Sequence, residues 1–370
     1  MKVLHITTVH GWNDTRIFHR ECRSLEGTHY QISLLAPGVQ HLQQNNVNVI
    51  PLGKKRAIML RPFTLIPKAT LLALRSDAPI IHFHDPELVP TGFLLKLFGK
   101  KVVYDVHEYY SEIFSLRVPG PFRRIVKLLT HYSLEKIPLK VFDRLVFPTT
   151  KLKDEYASQE RSTVLYNYPD IKVIHGTSTP WAEKKYDVIF VGTVSPFRAK
   201  VMLEIAQLIG SRRPGFRWLF LGIAERTIQW AKASFPKSFL EENIIFKTRV
   251  PYEEVLKHLA ESRIGYNYHP MEKRFEVAIP MKVYEYMLAG LPVVTSAFPE
   301  LVANLQNGDE IVFPNDDSVD SHSRAIEQLL DDQSMSSRIG RNGQQAVFER
   351  FNWSKTERPK IIQLYDELSS

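Results

Sequence analysis

Glu285 sits inside the run Phe275-Glu-Val-Ala-Ile-Pro-Met-Lys-Val-Tyr-Glu-Tyr-Met-Leu-Ala-Gly-Leu-Pro-Val-Val-Thr-Ser, which contains the residues best suited to hold a phosphorylated sugar or nucleoside. Pro280 suits the first turn of a helix, Gly290 its stop, and 291–296 reads as a following buried strand. A helix start offers free backbone amides and a positive dipole end to a phosphate. Glu285, one turn inside, can accept two hydrogen bonds from a vicinal diol such as a ribose. Lys282, three residues earlier, is a local alternative partner for that carboxylate.

Three further constellations lie nearer the N-terminus. In Val102-Val-Tyr-Asp-Val-His-Glu, Asp105, His107 and Glu108 fall at the end of a strand-like run. There a histidine can orient a hydroxyl or donate through one nitrogen while a neighbour holds the other. In Ile81-His-Phe-His-Asp-Pro-Glu, His82 and His84 share one strand face, a spacing compatible with zinc, but no second His or Cys cluster at recognisable spacing completes a site. The loop His10-Gly-Trp-Asn-Asp-Thr-Arg holds only Gly11 where a dinucleotide fingerprint needs three glycines, which argues against NAD or FAD chemistry. With the first strand ending near Val9, Asp14 and Arg16 face a ligand; the alternatives are a helix cap for Asp14 and a surface charge for Arg16.

These residues need elements to hold them. Short β-branched or aromatic runs recur at 2–9, 31–36, 47–52, 79–83, 101–106 and 144–147, and the rhythm restarts at 186–191, 216–221, 243–247, 262–268, 291–296 and 310–313. Helical-length segments separate several of them, and runs such as Val-Ile-Phe-Val are apolar on successive residues, as in parallel strands covered on both faces. The fold class is therefore α/β with two doubly wound domains. A polar stretch near 167–184 marks the boundary, giving domains 1–170 and 171–350 and a terminal segment 351–370. Ligands of such sheets bind beyond the carboxyl ends of the strands, so a cleft between the domains is expected to carry the chemistry.

The chain has 370 residues, 44% hydrophobic and 24% charged, the profile of a folded protein large enough for two cores. Its single cysteine, Cys22, excludes an intrachain disulfide and favours a reducing compartment. The first residues lack the apolar core of a signal peptide, and no stretch approaches a membrane span, so a cytoplasmic protein is expected. Lys and Arg outnumber Asp and Glu by 23 to 15 in residues 1–170 and balance them at 25 to 25 thereafter. The excess concentrates in Lys54, Lys55, Arg56, Arg61, Lys68 and Arg75, and again in Arg117, Arg123, Arg124, Lys127, Lys136 and Lys140. In the second group Phe122, Ile125, Val126, Leu128, Leu129 and Leu134 interleave at helical intervals, as on a helix that lies on an anionic bilayer. The alternative is a basic helix packing its apolar face on the sheet. No RNA-binding motif is present, and no nucleic acid partner is expected.

The series Pro-x-Lys-x-x-Glu-Tyr-Met-x-x-Gly-x-Pro-Val-Val from Pro280 to Val294 resembles the nucleotide-sugar segment of the retaining GT-B glycosyltransferases, particularly glycosyltransferase family 4. That resemblance implies two Rossmann-like domains facing a central cleft, with a C-terminal helix crossing back to the first. It implies an N-terminal acceptor domain, a C-terminal donor domain, and Glu285 on the nucleotide ribose as the second Glu of the family's paired-glutamate motif. The first Glu is expected at 277, where Val277 stands, with Glu276 one residue away. Gly192 in Gly-Thr-Val-Ser-Pro-Phe-Arg-Ala-Lys matches the family's glycine loop, followed by Arg198 and Lys200 for the donor diphosphate; the resemblance implies donor binding by Gly192, Arg198, Lys200, Lys282 and Glu285, with Arg198 and His107 as catalytic residues. The family commonly has Arg directly after that glycine, where this chain has Thr193, which shifts the phosphate charge to Arg198 first and Lys200 second.

By the same resemblance His107 meets the transferring sugar, Gly11, Asp14 and Arg16 contribute to the acceptor site, and 247–252 forms the nucleobase loop. The expected activity moves a sugar from a nucleotide diphosphate, UDP foremost, to a hydroxyl of a glycan or lipid-linked saccharide, as in bacterial surface polysaccharide assembly. No cofactor and no metal are expected. A nucleotide-sugar 2-epimerase of similar architecture and a non-catalytic basic binding protein are the rival readings.

Overall fold

The computed structural model describes residues 1–156, 161–171, 179–270, 272, 276–277 and 279–369, with the side chain of Tyr252 excepted. It divides into two compact units, Met1–Asn167 with Trp353–Ser370, and Tyr168–Asn352.

The first unit is built on eight strands: β1 (Lys2–Ile6), β2 (Gln31–Pro37), β3 (Leu42–Gln44), β4 (Val47–Gly53), β5 (Ile80–Phe83), β6 (Lys101–Asp105), β7 (Arg144–Phe147) and β8 (Ser162–Val164). They form one sheet in the order β3-β4-β2-β1-β5-β6-β7-β8. All neighbours are parallel except β3 and β4. That pair is a hairpin closed by Asn45 and Asn46, both at positive φ (49° and 58°), the geometry of a two-residue type I′ turn. The Asn-Asn pair is the sequence signal for β3, which the apolar runs do not reveal.

Central strands are apolar on both faces because helices cover both. Every residue of β5 is buried, and so is every residue of β6 after Lys101. The last helix, Arg358–Ser369, buries Ile361, Leu364, Tyr365 and Leu368 in the core of this first unit, beside Val3, Ile32 and Ile80. Trp353 donates from Nε1 to Ser24 Oγ at 2.6 Å, and Arg358 donates from Nε to the Ser24 carbonyl at 2.8 Å. The chain therefore returns to complete its own N-terminal core.

The second unit has five parallel strands, β9 (Tyr186–Val191), β10 (Trp218–Leu221), β11 (Ile244–Lys247), β12 (Ser262–Asn267) and β13 (Val293–Thr295), ordered β11-β10-β9-β12-β13. Its core gathers Phe190, Met202, Trp218, Phe220, Tyr266 and Ile326. The expected strand at 310–313 is reduced to two isolated bridges, Val294 with Val312 and Asn307 with Ile311. The first strand also ends earlier than expected, at Ile6. Beyond it the Thr8 and Val9 amides leave the ladder and donate to the Asp85 carboxylate at 2.6 and 3.2 Å.

Candidate functional sites on the two units

In the second unit, β9 runs out into Gly192, whose φ of +113° places it in the region that favours glycine. A Cβ there would lie 3.2 Å from Lys282 Nζ. Lys282 lies on the helix Met281–Leu288, directly after Pro280, and Gly290 follows that helix at φ +75°. The lysine ammonium sits 4.1 Å from the centre of the Phe190 ring, an arrangement that favours the cation. Burial, reinforced by Arg198 and opposed by Glu285, lowers its pKa to about 7. Lys282 is thus no surface partner that merely neutralises Glu285. It is a cation pushed out of water beside the glycine turn.

Arg198 enters from the helix Pro196–Arg212, capped by Ser195, whose Oγ accepts from the Arg198 amide at 3.4 Å. Its guanidinium donates from Nε to the Tyr268 carbonyl at 3.0 Å and from Nη2 to the same oxygen at 2.5 Å. Burial lowers its pKa to about 10, so it remains a cation at neutral pH. Lys200 lies on the exposed side of that helix, 3.7 Å from Glu204. Of the two candidates, only Arg198 influences Lys282 electrostatically. Tyr286 adds a support that the sequence reading does not single out: its hydroxyl accepts from the Val191 amide at 2.8 Å, pinning the end of β9. Its ring fills the space over Gly265, where a Cβ would come within 2.6 Å. Glu285 is partly buried between the buried Tyr284 and Tyr286. Glu276 lies in the described part of its loop, with its amide donating to the Glu272 carbonyl at 3.3 Å, while 273–275 and 278 lie outside the described residues. The 247–252 segment leaves β11 with the Lys247 carbonyl accepting from Gly222 and Ile223 at 2.9 and 3.1 Å.

In the first unit the ends of β1, β5 and β6 converge on carboxylates. Asp105 is fully buried and takes Arg16 in a forked pair, Nε to Oδ2 and Nη2 to Oδ1, both at 2.9 Å. His107 Nε2 and His84 Nδ1 lie 2.8 and 3.1 Å from the same Oδ2. Burial alone would raise the Asp105 pKa; Arg16 and the two histidines outweigh it and hold the group well below the usual carboxylate range. Asp85 accepts from the Thr7 hydroxyl at 2.9 Å and the Thr8 amide at 2.6 Å. His10 lies 3.4 Å from Asp14 and 3.6 Å from Asp85, with its ring 5.4 Å from that of His107.

Arg16 requires correction as an acceptor contact. It is 5% exposed, and its Nη1 is engaged by the Leu165 carbonyl and Asn167 Oδ1, both at 3.0 Å. It is neither a surface charge nor open to a ligand, and instead anchors Asp105. Removing one partner of a buried pair leaves an uncompensated charge. Arg16→Leu is therefore expected to cost about 3–5 kcal/mol in urea unfolding, with the midpoint falling and the slope unchanged. Asp14 caps the turn as the alternative reading held: Oδ1 accepts from the Arg16 and Ile17 amides at 2.9 and 3.0 Å. Gly11 closes this loop, its carbonyl accepting from the Asp14 amide at 3.1 Å. Tertiary structure also supplies what sequence spacing does not: His5 and Glu21 join His82 and His84, with one ligand-type atom of each within 4.8 Å of the others. The cluster is built from three separate stretches of chain, so no local motif announces it.

Two separate parallel α/β sheets, each with charged groups gathered at the carboxyl ends of its strands, define the GT-B architecture. Residues 15–173 match the model described as Glycosyltransferase Family 4, and residues 201–358 match the one described as Glycosyl transferase-like. The chain belongs to the GT-B glycosyltransferases and is a glycosyltransferase enzyme. Comparison with curated protein sequences gives no match. Among solved structures, a sucrose-phosphate synthase from Thermosynechococcus elongatus is similar at 15% identity and TM-score 0.75, covering 100% of this chain and 99% of that one. The Anabaena protein HepE in complex with UDP and glucose is similar at 14% identity and TM-score 0.72, with 100% of both chains covered. A structure described as trehalose-6-phosphate from E. coli bound with UDP-2-fluoro glucose follows at 13% identity and TM-score 0.66, covering 98% and 99%. At such identities the likeness speaks for the fold.

Proposed function

We propose that the enzyme transfers a sugar from a nucleotide diphosphate, UDP foremost, to a hydroxyl of a glycan or lipid-linked saccharide, with retention at the anomeric carbon. The observation that carries this reading is the group around Gly192: a half-buried Lys282, Arg198 acting on its charge, the helix start at Met281 and Glu285 one turn on. Two cations and a helix N-terminus suit a diphosphate whose charge grows as the glycosidic bond breaks, and Glu285 suits the adjoining ribose. His107, held by Asp105, serves the transferring sugar, and the loop of Gly11 and Asp14 the acceptor. In this scheme the leaving diphosphate helps to deprotonate the acceptor, and neither a side-chain nucleophile nor a metal is needed. UDP-containing complexes among the structural neighbours support the choice of donor.

A thermal-shift screen of nucleoside diphosphates and their sugars tests the reading, since a ligand that binds only the folded state raises its stability, by about 2.7 kcal/mol at a hundredfold excess over Kd. UDP or a UDP-sugar is expected to give the largest shift. Absence of a shift with every nucleoside diphosphate, in a chain that unfolds cooperatively, would remove the donor site.

The acceptor side of the proposal includes peripheral contact with an anionic membrane, suited to bacterial surface polysaccharide assembly on a lipid carrier at the inner face of the plasma membrane. Among the described residues no helix is long and apolar enough to cross a bilayer. The helix Gly120–Thr130 buries none of its residues, contrary to the packed alternative. Phe122, Ile125 and Leu129 recur at i, i+3 and i+7, exposed by 59%, 56% and 63%, with Arg123, Arg124 and Lys127 interleaved. In the other basic stretch, Met59 and Phe63 are 80% and 82% exposed beside Arg61. Apolar groups that reach the acyl boundary and cations that reach headgroups bind such surfaces together. Phe122→Asp with Leu129→Asp is expected to lower partitioning onto phosphatidylserine-containing vesicles by about tenfold or more, each buried side chain contributing roughly 1.5–3 kcal/mol. Equal co-sedimentation of variant and parent would exclude this helix as the contact.

A further inference from the structure

Five polar side chains form a continuous buried chain that ends at His107. His82 Nδ1 lies 2.6 Å from the Tyr365 hydroxyl, and that hydroxyl 3.0 Å from His5 Nε2. His5 Nδ1 lies 3.0 Å from His84 Nε2, and His84 Nδ1 lies 3.1 Å from the Asp105 oxygen shared with His107 Nε2. His5, His82, His84 and Asp105 are all 0% exposed, as is Tyr365. His5 and His82 are register partners on β1 and β5, while Tyr365 comes from the last helix of the chain.

The direction of every bond in this chain follows from one carboxylate. Asp105, ionised by its fork with Arg16, can only accept. His84 must then carry its proton on Nδ1, and His107 on Nε2. Burial disfavours the imidazolium forms of His5, His82 and His84, so each ring has one bare nitrogen. His84 Nε2 is bare and accepts from His5 Nδ1–H. His5 Nε2 is bare in turn and accepts the Tyr365 hydroxyl proton. The Tyr365 oxygen then accepts from His82 Nδ1–H. Reversing any link would place two protons, or two lone pairs, against each other. The same assignment accounts for both ring nitrogens of His5 and His84 without a metal ion, although His5, Glu21, His82 and His84 are close enough to hold one.

We propose that Tyr365 is a positioning residue for His107: by donating to His5 Nε2 it holds the His5 and His84 tautomers that keep His84 Nδ1–H on Asp105, and so fixes the carboxylate that takes His107 Nε2–H. Among the described residues no hydrogen bond engages Nδ1 of His107. The role toward sugar rests on the function proposed above, whereas the protonation pattern does not. The two are therefore tested separately.

Ring-15N spectra of the full chain, assigned with single His→Gln variants, read the tautomers directly. The expected pattern is Nε2–H at His107 and Nδ1–H at His5, His82 and His84. Tyr365→Phe, which keeps the ring and removes the hydroxyl, is expected to mix the His5 and His84 tautomers. It should also lower kcat by about three- to tenfold with donor Kd unchanged, while a matched melting curve confirms that the variant is folded. A His107 lacking its proton on Nε2, metal-type shifts at His5 or His84, or unchanged His5 and His84 spectra in Tyr365→Phe would overturn the proposal. Retained tautomer changes with an unaltered kcat would overturn the link from Tyr365 to catalysis while leaving the donor reading to its own screen.

Discussion

Lys282→Met is expected to lose about 10²–10³-fold in kcat/KM at pH 7, the range for removing one preorganised donor from developing charge, while making the folded protein more stable. Both effects have one cause. The ammonium is held out of water over Phe190, with its pKa brought from 10.5 to about 7. The unfolded chain therefore binds more protons than the folded one between those values. This group makes stability rise with pH across that window, and its charging penalty is fully present below about pH 7. Methionine fills a similar volume without the penalty, so the melting-temperature gain over the parent should be largest near pH 6 and vanish towards pH 10. A diphosphate reverses the balance by favouring the charged form. Parent affinity for UDP should then be flat at low pH and fall by up to about tenfold per pH unit above the folded pKa, with binding near pH 8 taking up close to one proton. Calorimetry in two buffers of different ionisation enthalpy measures that uptake, and the Met variant should show none. An uptake that survives in the variant would assign the proton elsewhere.

Glu285→Ala is expected to weaken nucleoside-diphosphate binding by about 10²–10⁴-fold, because hydrogen bonds to a charged acceptor contribute roughly 1.5–3 kcal/mol each and a ribose diol makes two. The assignment has a sharper signature than affinity alone. The parent should prefer UDP to 2′-deoxy-UDP, and the variant should bind the two alike, since the carboxylate that distinguishes them is gone. Equal affinity of parent and variant for every nucleoside diphosphate would remove Glu285 from the site. Retained 2′-hydroxyl preference in a weakened variant would place the ribose contact on another group.

The residues proposed for the donor were more legible in the sequence than those proposed for the acceptor. Pro280, Lys282, Glu285 and Gly290 lie within one short segment, where helix start, helix stop and charge spacing are local properties of the chain. Arg198 could be preferred to Lys200 on chemistry, but only the fold shows that Lys200 turns outward to Glu204. Arg16 was misread because its partner, Asp105, lies 89 residues away, and no local pattern distinguishes a buried arginine from an exposed one. The apolar helix at 120–130 was ambiguous for a related reason: amphipathic spacing says that a face is apolar, and only packing says whether protein covers it.

The sequence by itself determined the alternation of strands and helices, the two-sheet architecture and the loops at strand ends, because periodicity, turn residues and helix signals act over a few residues. It did not determine which polar groups are taken out of water. Lys282 owes its depressed pKa to burial beside β9, Tyr365 reaches His5 across 360 positions, and Glu21 joins three histidines from two strands and the loop beyond. Desolvation and pairing depend on distance in space, so the ionisation and hydrogen-bond direction of these groups were decided only when the chain closed on itself.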